Sequence, residues 1–258
     1  MSYKAIIYEK KDHVAILTLN RPEKLNAINS QLAIEVVDAL TDAEKDANIL
    51  VVILTGTGKG FCAGADLAEV KALREDPEIR RNRAEAPRLL EVMKRFPKPV
   101  ISAVNGVAAA GGFELILCSD IVVASDVARI GDAHANFVGI GAAPAIAPYK
   151  MSRVKAAELL LTGDFWPANE LEKAGLVNHV VPADKLMEKA MEIANKIAGK
   201  MPLATIAAKS IMNRSGLGDQ ETLLAYLREA MQRITKTEDH AEGLKAFAEK
   251  RTPIYKGQ

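Results

Sequence analysis

The apolar positions of this chain change period repeatedly between strand-like runs and helical spacing. Residues 3–10 and 13–19 read as two strands around the polar turn Lys10-Lys11-Asp12. The second is apolar almost throughout, which predicts burial on both faces. Arg21-Pro22 ends it. Leu32, Val36, Val37 and Leu40 then recur at helical spacing, with Asn29 or Ser30 placed to cap the helix. Ile49–Leu54 is a continuous apolar run, a third strand. The stretch from Gly56 to Ala65 carries four glycines in ten residues and reads as a long loop. Residues 67–96 read as helix divided by Pro77 and Pro87, and the dense charge between them suits a solvated face.

Val100–Val104 is the next buried strand. The turn pair Asn105-Gly106, the small residues Ala108 to Gly112 and a helix from Phe113 follow it. Short strands are expected at Ile121–Ala124 and Ala128–Gly131. The Gly-, Ala- and Pro-rich piece from Gly131 to Tyr149 reads as a loop. Helix is expected near 152–161, a short helix from Trp166-Pro167 to Gly175, and a strand over Leu176–Val181. Beyond it the pattern is helical over 184–199, 203–213, 219–236 and 239–249, broken at Pro202 and at Gly216–Gly218.

Strands alternating with helices imply an α/β fold with parallel pairing and crossovers. The expected organisation is a core over residues 1–195 and a helical region over 196–258. In that region Leu223, Leu224, Tyr226, Leu227 and Met231 put apolar side chains on more than one helix face, a pattern suited to docking on a second copy.

With 258 residues, 49% hydrophobic and 26% charged, the chain can bury a large core. Its formal net charge of +1 argues against a polyanion-binding surface, so no nucleic-acid partner is expected. Cys62 and Cys118 form no CxxC pair, and His13, His134, His179 and His240 lack ligand spacing, so neither a disulfide framework nor a metal site is expected. A charged N-terminus and the lack of a spanning apolar run predict no secretory signal, no membrane segment and a cytoplasmic location.

One carboxylate stands out. Glu114 lies behind Gly111-Gly112 at the start of an apolar helix. Burial of such a group is costly and raises its pKa, which suits proton transfer, while a carboxylate in a first helical turn also simply suits the helix dipole. Two glycine-rich points, Gly64-Ala65-Asp66 and Ala110-Gly111-Gly112, each follow a buried strand and lead into a helix. If those strands are neighbours, two backbone N–H groups can meet at one oxygen, each donor worth about 3 kcal/mol.

The segments NRPEKLNAI, FCAGADL, PVISAVNGVAAAGGFEL, SDIVVAS and LTGDFWPANELEKAGLVNHVVP resemble the enoyl-CoA hydratase/isomerase (crotonase) family. They occur in family order across roughly residues 13–185, and the helical C-terminus fits as well. The resemblance implies a crotonase-like spiral of ββα repeats with a C-terminal helical oligomerisation region, assembled as a homotrimer or a homohexamer made of two trimers. It implies an acyl-CoA thioester substrate and no cofactor other than the coenzyme A of that substrate. By motif position, the N–H groups of Ala65 and Gly111 would hold the thioester oxygen. Ala65, Asp66 and Leu67 would flank the bent coenzyme A, and Lys24 could meet one of its phosphates. Glu114 falls on the first catalytic glutamate of the family's hydratases.

The pattern departs at the second glutamate, where this chain reads GDAHANFVGIG. Counting from Asp120 puts His134 at that position, and counting back from Tyr149 puts Asn136 there. His134 can do acid/base work, with Asp132 to orient or replace it; the plainer reading is a histidine bonded to a loop carbonyl. The family reading is an enoyl-CoA hydratase, adding water in syn fashion to a 2-enoyl-CoA. The alternative is an enoyl-CoA isomerase using Glu114 as single base; thioester hydrolysis, decarboxylation and a non-catalytic member rank below. Pro144 to Tyr149 would lie where the acyl chain sits, so an unusual acyl group is expected. Cys62 is read as a packing residue and Trp166 as the anchor of a helix start.

Overall fold

A computed structural model describes residues 3–76, 78, 88–137, 139–215 and 219–258. Pro77, Pro87 and Gly216–Gly218, where breaks in helix were expected, lie outside the described residues. In chain order the strands are β1 (Ile6–Lys11), β2 (Val14–Leu19), β3 (Val51–Gly56), β4 (Gly60–Cys62), β5 (Val100–Val104), β6 (Val107–Ala109), β7 (Ile121–Ser125), β8 (Arg129–Gly131), β9 (Trp166–Pro167) and β10 (His179–Val181). The helices are α1 (Ser30–Lys45), α2 (Leu67–Glu75), α3 (Leu89–Arg95), α4 (Gly111–Cys118), α5 (His134–Phe137), α6 (Ala143–Lys150), α7 (Arg153–Thr162), α8 (Ala168–Lys173), α9 (Leu186–Ala198), α10 (Pro202–Arg214), α11 (Gln220–Ile234) and α12 (Glu238–Glu249).

Two sheets result. One runs β1-β2-β3-β5-β7-β10, the other β4-β6-β8-β9. Apart from the edge pairs β1/β2 and β8/β9, the pairings are parallel. From β3 to β4, from β5 to β6 and from β7 to β8 the chain steps from the large sheet to the small one. After each step it turns into a helix. Three ββα turns therefore stack as a spiral, the architecture expected from the sequence.

The continuous apolar runs have a direct cause. Val52 and Leu54 of β3 point into the main core with Leu17, Leu32, Leu40, Phe61 and Phe113. Val51 and Ile53 point the other way, into a second core closed by Leu186, Ala190 and Ala194 of α9. Both faces of the strand are covered, so no polar alternation remains. Helix α9 runs across residue 195, and α10 is tied to the sheet by Lys209, which donates to Lys98 O and pairs with Asp120 Oδ2.

Five expectations need correction. The glycine-rich stretch Gly56–Ala65, read as a long loop, contains β4 (Gly60–Cys62), which is held by pairing with β6. The small-residue run after Gly106 contains a strand, β6, and the helix begins at Gly111 instead of Phe113. Ala108 and Ala109 have little strand propensity of their own, but pairing with β4 and β8 overrides it. Trp166-Pro167 pairs with β8 as a strand before α8 starts. The stretch 131–149 carries α5 and α6. Pro144, read there as loop chemistry, sits in the first turn of α6, where a missing N–H costs nothing. Finally, the strand expected over Leu176–Val181 is confined to His179–Val181.

Stacking of the turns is tight. A Cβ on Gly112 would collide with the carbonyl oxygen of Cys62, pressing α4 off β4. Gly112→Ala is expected to destabilise the fold by about 2 kcal/mol, read as a lowered denaturant midpoint with unchanged slope.

Candidate active site

The site is built where two turns of the spiral touch. Strands β3 and β5 are hydrogen-bonded neighbours, the condition on which convergence of the two glycine-rich points depends. Gly64 has φ +92°, and its position is 3.5 Å from a Cβ added at Gly111. Ile28 and Ala65 form a parallel bridge, with Ile28 N donating to Gly64 O (2.7 Å) and Asp66 N to Ile28 O (2.9 Å). Successive N–H groups of an extended segment point to opposite sides, so the Ala65 N–H faces away from Ile28. Among the described residues neither the Ala65 nor the Gly111 N–H has a backbone acceptor. Two such donors can hold an oxygen on which negative charge develops.

Each donor is braced from behind. Arg21 donates to Ala27 O (2.5 Å) and to Asp66 Oδ2 (2.8 Å), tying the residue 21–28 segment to the Ala65 turn. This guanidinium holds the Asp66 carboxyl below the usual carboxylate range, and Asp66 in turn caps α2 at Ala68 N. Buried Asn26 bonds Arg21 N, Thr57 O and Gly60 O. On the other side Ala110 adopts φ +48°, ψ −113°, a region that favours glycine, directly before Gly111. Such a residue costs on the order of 1–3 kcal/mol, and it turns the chain so that Gly111 can open α4. Nothing in the residue type announced it; only the geometry shows it.

Glu114 stands in the first turn of α4 and is 4% exposed. Its Oε1 accepts from Ala142 N and, at 3.3 Å, from Ala143 N, the two N–H groups at the start of α6. Burial raises its pKa; those N–H groups and the nearby imidazole of His134 oppose the shift without cancelling it. A carboxylate of this kind exchanges a proton closer to neutrality than an exposed one.

His134 faces the same space. A Cβ on Gly141 would collide with both Glu114 Oε1 and His134 Cε1 and lie 2.7 Å from His134 Nδ1. The two side chains thus meet across the volume of about one methyl group. His134 Nδ1 lies 2.5 Å from Oδ1 of Asp132, which is 4% exposed and also accepts from His134 N. With Nδ1–H donated to the carboxylate, Nε2 is left for chemistry. Asn136, the other candidate for this position, is exposed and donates to Gly163 O. Leu67, the first residue of α2 after the Ala65 turn, is 63% exposed, and Lys24 is exposed at the end of the short turn Pro22–Lys24.

Two cavities flank α6. The larger, about 540 Å³, lies against the C-terminal half of α4 and includes Cys118, Ile146 and Tyr149. The smaller, about 320 Å³, lies on the other face, against Asp132, Pro144 and Pro148. Cys62 is fully buried, and burial pushes its thiol up to about 12, as suits a packing residue. Trp166 is buried, with Lys155 Nζ 5.2 Å from its ring centroid.

The sequence brought Ala65, Gly111, Glu114, Asp132 and His134 forward, and the fold gathers all five. It missed Arg21, Ala110, Gly141 and the Ala142–Ala143 N–H pair. Arg21 and Asp66 are 45 positions apart, and backbone donors carry no residue-type signal.

Known proteins resemble this chain over nearly its whole length. The enoyl-CoA hydratase/isomerase family profile matches residues 9–258. The "putative enoyl-CoA hydratase/isomerase YngF" of Bacillus subtilis is 38% identical over 252 residues, 96% of each chain. The "short-chain-enoyl-CoA hydratase" of Clostridium acetobutylicum is 38% identical over 257 residues, 97% of each. A crystal structure of an enoyl-CoA hydratase from Bacillus anthracis superposes with a TM-score of 0.90 at 38% identity, covering 99% of this chain and 100% of that one. The chain therefore belongs to the enoyl-CoA hydratase/isomerase family.

Proposed function

We propose that this protein is an enoyl-CoA hydratase, which adds water across the double bond of a 2-enoyl-CoA. The observation that carries the reading is the meeting of Glu114 and His134 across Gly141, beside the Gly111 turn. In the proposed step the Ala65 and Gly111 N–H groups hold the thioester oxygen. Water attacks Cβ, and the π electrons move toward that oxygen as an enolate. Glu114 takes one proton from the water, and protonated His134, held by Asp132, gives a proton to Cα. Proton return from Glu114 to His134 through solvent closes the cycle, so the net addition is one water. The donors act more strongly on the enolate than on the ground-state carbonyl, which is the condition for catalysis instead of mere binding.

Asp66, Leu67 and Lys24 are proposed to line the coenzyme A side of the site. We further propose that the region beyond residue 195 assembles trimers or pairs of trimers. Exposed Leu224, Tyr226, Leu227 and Met231 on α11 support that reading, and sedimentation is expected to give a multiple of three chains. A cytoplasmic location fits the same reading.

A specific observation favours a second activity. Glu114 is accompanied by an imidazole where two carboxylates usually serve hydration, and a single base can carry a proton between carbons in a double-bond shift. Product mass separates the readings. Incubation with crotonyl-CoA and 3-hexenoyl-CoA is expected to yield a gain of one water on the first. An unchanged mass for crotonyl-CoA, with conversion of 3-hexenoyl-CoA to its 2-enoyl isomer, would replace hydratase by isomerase. Release of free coenzyme A would point to hydrolysis.

A further inference from the structure

The first N–H groups of α6 are the partners of Glu114, yet little in the sequence of α6 fixes it there. The helix has eight residues, and Pro148 inside it removes one internal hydrogen bond. A helix that short is marginal in water on its own. Its fully buried side chains are the methyl groups of Ala143 and Ala147, with half-buried Ile146 beside them. Pro144, Ala145 and Tyr149 are exposed. So small a buried area holds α6 only weakly in place along α4.

Polar ties at both ends supply what packing lacks. At one end Glu114 Oε1 accepts from Ala142 N and Ala143 N. At the other, Lys150, the last residue of α6, donates from Nζ to the carbonyl oxygen of Ser119 at 3.0 Å, and Ser119 is the residue that closes α4. N-terminus meets N-terminus and C-terminus meets C-terminus, so the two helices lie parallel. Their aligned dipoles repel, with two positive ends gathered at Glu114 and two negative ends at Ser119. The ammonium of half-buried Lys150 offsets the negative pair. The neighbouring carboxylate, Asp120, is already met by Lys209 Nζ at 2.7 Å.

Glu114 and Ser119 are five residues apart, about 7.5 Å along a helix. The charges that act most on Glu114 are those of His134 and Asp132. Around Lys150 itself stand Lys94, Cys118, Asp120 and Lys209. An effect of Lys150 on the carboxylate therefore runs through the position of α6.

We propose that Lys150 is a positioning residue for the reaction: its tie to the end of α4 keeps the Ala142 and Ala143 N–H groups on Glu114 and so aims the carboxylate. Only the kinetic arm of the test rests on the acyl-CoA reading given under Proposed function.

Carbon-13 NMR of the glutamate carboxyls follows the tie without substrate, with the Glu114 signal assigned by its loss in Glu114→Gln. In Lys150→Met the Glu114 midpoint is expected to move up by about one pH unit, because burial then acts with the N–H groups withdrawn. Lys150→Arg, which can donate to the same carbonyl, is expected to restore the wild-type midpoint. With crotonyl-CoA, the kcat of Lys150→Met is expected to fall about tenfold at pH 7, with the acid limb moved up alike and KM within about twofold of wild type. Lys150→Gln serves if the methionine variant fails to fold. An unmoved Glu114 midpoint in the folded variant overturns the proposal, and so does an unchanged kcat or a fall in kcat with the acid limb in place. A moved midpoint in a protein whose wild type leaves crotonyl-CoA unconverted supports the tie and overturns the functional reading instead.

Discussion

Glu114→Gln is expected to lower turnover of crotonyl-CoA by about three orders of magnitude, within the range of a lost general acid–base group. Affinity for a saturated acyl-CoA should stay within about threefold. The substitution is nearly isosteric, and a glutamine Oε1 still accepts from Ala142 N and Ala143 N. What disappears is a group able to take a proton from water. Stability provides the control. Burial raises the Glu114 pKa, so the folded chain takes up a proton at this site at higher pH than the unfolded chain does. The stability linked to the neutral carboxyl is fully present below the ordinary carboxylate range and is lost as pH rises through the raised value. Glutamine never ionises. The variant should therefore match or exceed wild type in thermal midpoint at pH 8, and the difference should shrink toward pH 4. Activity within tenfold of wild type would remove Glu114 from the chemistry. A collapse of stability would mean that its role is structural.

The same residue shows why parts of the site were legible and others were not. A carboxylate behind two glycines at the head of an apolar helix is an anomaly in residue type, and residue type is what a sequence displays. The covered strands were equally plain, because Val51–Leu54 must satisfy two cores at once. The second sheet was harder. Its strands are only two or three residues long, too short for a period to develop, and Ala108-Ala109 lacks strand character altogether. The 131–149 stretch misled for a related reason: glycines and prolines mark turns, yet alanines between them form α6, with Pro144 harmless in its first turn. The partners of Glu114 are backbone N–H groups of that unanticipated helix. They became visible only when α6 was in place.

His134→Ala is expected to reduce the kcat of hydration about 100-fold with little change in KM, because the imidazole faces the reacting space and not the coenzyme A side. A histidine kept only for a loop bond would give a different pattern, with small and similar losses in rate and binding. Two further variants sharpen the comparison. Asp132→Asn retains an acceptor for Nδ1–H but removes the charge beside it, so a smaller loss of about tenfold is expected from weaker support of the protonated ring. Exogenous imidazole should restore part of the activity of His134→Ala, since the half-buried ring leaves a gap that opens on the site. No rescue is expected in Glu114→Gln. The double-bond shift gives the decisive contrast. If Glu114 alone carries a proton between carbons, isomerisation of a 3-enoyl-CoA survives His134→Ala while hydration falls. If both activities fall together, His134 serves the common enolate. If neither falls, the Asp132–His134 pair holds the α5 turn and has no part in proton transfer.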